Sequence, residues 1–116
     1  MHFKLIVVIA DDDLTDSLVE VARASGATGA TVVGSTRGEG LQPAKSFFGL
    51  ALEERRDMIF MLVEEHLCRH ILETIGEAGQ FDTRPGRGIA FQLDVEDAVG
   101  IGPQVRTLQP IIEEEL

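Results

Sequence analysis

The sequence predicts a single-domain α+β fold, and three observations predict it. Two stretches, FKLIVVIA at Phe3–Ala10 and DMIFMLV at Asp57–Val63, are near-continuous apolar runs. That is the pattern of strands buried on both faces or at an interface. After each run, apolar residues recur at helical spacing, and after each helix a further strand follows, so the order reads β-α-β, loop, β-α-β. Two such halves make a ferredoxin-like βαββαβ sandwich, an antiparallel sheet with two helices on one side. The sheet's second face then needs cover, which other subunits can supply, so a homo-oligomer is expected.

The elements follow in order. After the first strand come Asp11, Asp12 and Asp13, and one of the latter two is placed to cap a helix. Leu14, Leu18, Val21 and Ala22 form that helix's apolar stripe, and Gly26 is its stop. Thr31–Ser35 is a short β-branched strand. Residues 37–56 carry Gly38, Gly40, Pro43 and Gly49 and read mostly as loop, with a helical turn expected at Ala51–Arg55. Leu67, Ile71, Leu72, Ile75 and Ala78 mark a second helix from Glu65, ended by Gly79. Ile89, Phe91, Leu93 and Val95 alternate with polar residues as a last strand. One turn is expected at Glu96–Val99. The remainder is weakly patterned, so the single domain has its core at about 3–101 and a C-terminal extension at 102–116.

Composition narrows the function. The chain has 116 residues, 10 Lys and Arg against 20 Asp and Glu, and a net charge of −10. Scattered cations and this charge argue against nucleic acid and against docking on anionic lipid. No apolar run is long enough to span a membrane, and the apolar start runs straight into acids, so it reads as a buried strand rather than a signal peptide. A lone cysteine, Cys68, cannot form an internal disulfide and suits a cytoplasmic protein.

GATGATVVGSTRGEG, Gly26 to Gly40, invites a phosphate-loop reading. It contains no G-x-x-x-x-G-K-[ST] run, and its glycines follow a helix and flank a strand, which is the wrong context for a dinucleotide fingerprint. On residues alone these glycines read as a helix stop, a turn and a strand exit.

The same stretch resembles the G-x-T-G-x-T-V-x-x-V-x-G-x-G segment of the P-II signalling family, with one extra residue before Gly38. GRGIAFQLDVEDAVGI, Gly86 to Ile101, is similar to that family's G-D-G-K-I-F-V-x-x-V-E-D-A-V-x-I segment. The resemblance implies a trimer of ferredoxin-like subunits, not an enzyme. It implies adenine nucleotide (ATP, ADP or AMP) held between subunits, and a long loop that contacts a target protein, such as a transporter or an enzyme of nitrogen or carbon metabolism. By position, Thr31, Gly38 and Gly40 would lie on one side of the nucleotide and Gly86, Arg87 and Gly88 on the other. Glycine backbones can approach phosphate closely, and successive N–H groups form an anion nest.

Three cations that hold the phosphates in the family are absent, and the family's aspartate in G-D-G is Arg87 here. The family's lysine after G-D-G is Ile89 here, and its two arginines after D-A-V are Gly100 and Gly102. Each lost charge-assisted contact is worth about 1.5–3 kcal/mol. Arg37, Arg84, Arg87 and Arg106 are candidate replacements; the plainer reading is that Arg84 and Arg87 are solvated loop charges. The long loop is several residues shorter than usual, and the chain has no tyrosine, which excludes the family's uridylylation. Lys45, Phe47 and Phe48 are the candidate partner-binding residues of that loop. Alternatively the two phenylalanines pack onto their own or a neighbouring subunit.

A rival reading is a metal-binding trimer of the divalent-cation-tolerance kind. His66 and His70 sit at i and i+4 on one helix face, while Cys68 points elsewhere. Glu65, His2 or another subunit would have to complete such a site. No serine or cysteine has a pattern that supports nucleophilic catalysis.

Overall fold

The computed structural model describes residues 1–34, 46–47, 50–51 and 55–115. Strand β1 (Phe3–Asp11) leads through a 3-10 turn (Asp12–Leu14) to helix α1 (Thr15–Ala24) and the short strand β2 (Thr31–Val33). The paired two-residue strands β3 (Ser46–Phe47) and β4 (Leu50–Ala51) form a separate small sheet. Strand β5 (Arg56–Glu64), helix α2 (Glu65–Gly79), strand β6 (Gly88–Asp94) and helix α3 (Gly102–Glu115) complete the chain.

The main sheet has the order β2-β5-β1-β6, with every neighbouring pair antiparallel. The two apolar runs of the sequence are thus the two central strands, as a ferredoxin-like sandwich requires. Register sorts the side chains by face. Ile6, Val8 and Ala10 of β1 and Ile59, Met61 and Val63 of β5 join Leu18 and Ala22 of α1 and Leu67, Cys68, Ile71 and Ile75 of α2 in the principal core. On the opposite face Val7 pairs with Phe60 and Phe91, and Ile9 with Met58 and Ile89, making a second apolar cluster. That face is not closed: Leu93 is 50% exposed, Val33 43% and Met58 36%.

Local chemistry accounts for the helix ends. Gly26, at φ 117, is the stop of α1, and the N–H of Ala27 donates back to the carbonyl of Ala22. At the start of α2, Glu64 accepts from the backbone N–H of His66 at 2.7 Å. Gly79 is the last helical residue rather than the stop; Gln80 takes the left-handed conformation at φ 55. Gly79 is needed for another reason, because the Phe81 ring lies where its Cβ would be.

Several sequence expectations change. Neither Asp12 nor Asp13 caps α1: its N-cap position is Leu14, and no side-chain cap bond forms. Asp11 instead reaches across the sheet to Arg56. Arg56, read as loop, is the first residue of β5, and Ala51 is in a strand rather than a helical turn. Glu96–Val99 forms no helix. The unpatterned C-terminal stretch is helix α3, whose Leu108 is 1% exposed and belongs to the principal core. No helix among the described residues is long and apolar enough to cross a membrane.

Candidate functional site

The β2 exit, the β5 start, the β1 end and the turn before β6 all meet at one end of the sheet, because Ala10 pairs with both Asp57 and Gly88 and Val33 pairs with Met58. The two glycine-rich segments therefore share an end of the molecule, but not an edge. Thr31 lies on one outer strand and Gly88 on the other, with two strands between them. Three strand spacings of about 4.8 Å separate them across the sheet, and Gly88 is level with Ala10 while Thr31 is level with Val7, about 10 Å further back, which puts them roughly 17 Å apart. One chain does not bring them together. Of the other proposed site residues, Arg37, Gly38, Gly40, Lys45 and Phe48 lie outside the described residues; of Phe47 the backbone alone is described.

The 84–88 turn is held firmly. Gly86 takes φ 84, where a side chain would be strained. The Arg87 side chain donates from Nε to the carbonyl of Gly79 at 2.9 Å, placing a cation at the C-terminus of α2. The Arg87 carbonyl accepts from the N–H of Asp11 and from Nη1 of Arg56, both at 3.1 Å. Arg56 is 7% exposed and also donates to Asp11 Oδ1 at 2.6 Å. The Arg84 side chain is exposed and makes no ion pair among the described residues. Gly88 sits beneath Phe81 and against Ala10, so it has a packing role independent of any ligand.

A cleft of about 940 Å³ opens between α2 and this turn, with Leu72, Phe81 and Ile89 among its apolar lining. Its charged residues are Arg69, Glu73, Glu77 and Asp82, and Arg69 is already paired with Glu73 at 2.6 Å. This side repels phosphate. An anion reading therefore rests on the backbone of 84–88 and on Arg84 and Arg87. At the positions of the missing family cations, Ile89 packs in the second apolar cluster, while Gly100 and Gly102 lie at and beyond the turn before α3.

At the other end of the sheet, Glu64, Glu65 and His66 bring three potential metal donors within 4.8 Å of one another, and His70 is not part of that group. Glu64 is 1% exposed. Its oxygens take both the backbone N–H and Nδ1 of His66, at 2.7 and 2.5 Å. The hydrogen bond to Glu64, and then its charge, raise the His66 pKa above the ordinary 6.5. Asp94 is shifted the other way, chiefly by its hydrogen bond with His2. Burial raises the Cys68 thiol, which donates to Gln92 at 3.1 Å, so no activated thiolate is present there.

Sequence reasoning missed Arg56, Asp11, Glu64 and Phe81. A charged residue bordering an apolar strand carries no signal that it will be buried. The Phe81 contact did leave a trace, in glycines at both 79 and 88.

A four-stranded antiparallel sheet of this order, backed by helices and carrying a glycine-rich turn before its last strand, defines a class of small ferredoxin-like proteins. The family model for "Nitrogen regulatory protein P-II" matches residues 3–105, so the chain belongs to the P-II family. Among solved structures, one of a Thermus thermophilus protein described as a PII-like signaling protein aligns with a TM-score of 0.58 and 25% identity. The alignment covers 82% of this chain and 88% of that one. No curated protein matches the chain. Membership supports a regulatory signalling role, since the family consists of signalling regulators that are typically trimers and bind target proteins.

Proposed function

We propose that this chain is a cytoplasmic, homotrimeric P-II-like regulator that binds an adenine nucleotide (ATP, ADP or AMP) between subunits. Occupancy alters how the 37–56 segment fits a target protein, either a transporter or an enzyme of nitrogen or carbon metabolism. The observation that supports this reading is that the two glycine-rich segments proposed as half-sites lie on opposite edges of one sheet. Thr31 stands on β2 and the 84–88 turn leads into β6, and the open face between those edges is apolar. A second copy completes a site that one copy leaves divided, and the apolar face supplies the driving force to assemble. The effector acts by population shift, so it must bind one arrangement of the 37–56 segment better than another. Sedimentation equilibrium should give three times the 12.6 kDa chain mass. Amide exchange in residues 37–56 should change on adding nucleotide. A monomer, or exchange unaltered at saturating nucleotide, contradicts the proposal.

A second reading, a metal-binding trimer, is favoured by the Glu64, Glu65 and His66 group. Against it, the Glu64 oxygens already serve as helix cap and His66 partner, and a helix N-terminus repels a cation. If metal binding is the function, substituting His66 and His70 together abolishes metal uptake and leaves nucleotide titrations unaltered.

A further inference from the structure

Three segments meet at one buried guanidinium, and a fourth is joined to them through Arg87. Arg56 opens β5, and its Nη1 donates to Asp11 Oδ1 at the end of β1 and to the Arg87 carbonyl in the turn before β6. The same carbonyl accepts from the N–H of Asp11, so both of its lone pairs are used by this node. The Arg87 side chain carries the connection on to the C-terminus of α2 through Gly79. On the β5 side, the Arg55 carbonyl accepts from the N–H of Asp12 at 3.2 Å. Residues 55–56, 11–12, 87 and 79 are therefore one hydrogen-bonded unit.

We infer that Arg56 is a positioning residue for the effector site: by holding the Arg87 carbonyl it presets the 84–88 turn and ties that turn to the start of β5. This inference rests on the reading of the turn as one half of the effector site. The physical case has three parts. A cation buried to this degree is retained at a cost in desolvation, and that cost is offset where it is paired and hydrogen-bonded, as Arg56 is. A glycine at positive φ, Gly86, gives the turn freedom that an outside hold must remove before successive N–H groups can face a ligand together. Finally, a turn held from the β5 start cannot change shape without changing residues 55–56, so ligand contact and the base of the 37–56 segment are coupled in both directions.

The test compares the wild-type protein with Arg56→Gln and Arg56→Lys, with two readouts on each. The first is amide exchange without ligand at Asp11 and at residues 86–88, against α2 as an internal standard. The second is calorimetric titration with ATP. Arg56→Gln should speed exchange selectively at Asp11 and the turn by roughly tenfold or more, the loss expected for a charge-assisted bond. It should weaken ATP binding by about the same factor. Arg56→Lys keeps a cation beside Asp11 and should lie between the two. Exchange at the turn that matches wild type overturns the inference, as does faster exchange with an unaltered ATP affinity. If Arg56→Gln unfolds, seen as equal acceleration throughout α2, the decision passes to Arg56→Lys: selective acceleration with weaker ATP binding supports the inference, and none overturns it. A wild-type protein that binds no ATP overturns the nucleotide reading instead, and the exchange comparison then decides on its own whether Arg56 holds the turn.

Discussion

Gly88→Ala tests how the turn is packed onto the sheet. Gly88 lies directly opposite Ala10 in the β1–β6 register. A Cβ at residue 88 would stand 2.5 Å from Cε1 of Phe81 and 2.9 Å from the Cβ of Ala10. Ordinary cross-strand Cβ pairs are about 4.5–5.5 Å apart. The Phe81 ring can rotate away, but the Ala10 methyl is fixed to the central strand, so the backbone must yield. Overpacking of this kind costs about 1–3 kcal/mol. Replacing glycine returns about 0.5–1 kcal/mol through the unfolded chain. Taking the middle of each range, the net loss is about 1.25 kcal/mol. With a urea slope of about 2 kcal/mol per molar, the unfolding midpoint falls by about 0.6 M. Urea titration followed by far-ultraviolet circular dichroism, at one fixed protein concentration because assembly adds to stability, measures this. Repeating it in a Phe81→Leu background should shrink the loss, since the ring contact is relieved and the Ala10 contact stays. A Gly88→Ala midpoint equal to or above wild type refutes the packing argument.

Three further outcomes are expected. Leu108→Ala empties a buried position between α3 and the principal core, and should cost about 2–4 kcal/mol by urea titration; a loss below about 0.5 kcal/mol would mean α3 is not docked in solution. The His66 pKa is raised by its hydrogen bond to Glu64, so that pair's contribution is complete below the unfolded value of 6.5 and is lost as pH rises through the folded value. The gap in melting temperature between wild type and His66→Ala should therefore narrow as pH increases from below 6.5, and a gap that widens contradicts the assignment. Cys68 is 1% exposed with a raised thiol pKa, so labelling by a disulfide reagent should be slow in the folded protein and rapid in urea; fast labelling of folded protein would show that α2 is not packed as described.

Most of the frame was legible because hydrophobic pattern and element type coincide there. The runs at Phe3–Ala10 and Asp57–Val63 are apolar throughout because both are central strands, with a helix layer on one face and an apolar cluster on the other. Leu67, Ile71 and Ile75 recur at helical spacing because all three face that sheet. Helix α3 was missed although Ile101, Val105 and Leu108 also have helical spacing. The local signals conflict there: Pro103 sits in the first turn, where proline is an ordinary start signal, while Pro110 lies inside the helix, where its missing N–H breaks the ladder. The candidate site was legible as motif and not as mechanism. The glycines at 86 and 88 stood out, but their separate roles, left-handed backbone at one and room for Phe81 at the other, depend on neighbours distant in sequence. Arg56 and Asp11 are 45 residues apart and meet only because β5 and β1 pair.

Calorimetric titration of the metal-stripped protein with ATP, ADP and AMP, with and without Mg²⁺, tests the central claim most directly. The account predicts saturable binding of at least one of them, weakened by Arg84→Ala and Arg87→Ala, the cations proposed to take over from those absent at Ile89, Gly100 and Gly102. No heat with any of the three nucleotides would contradict it: the fold and family would stand, and the effector site would not be a nucleotide site.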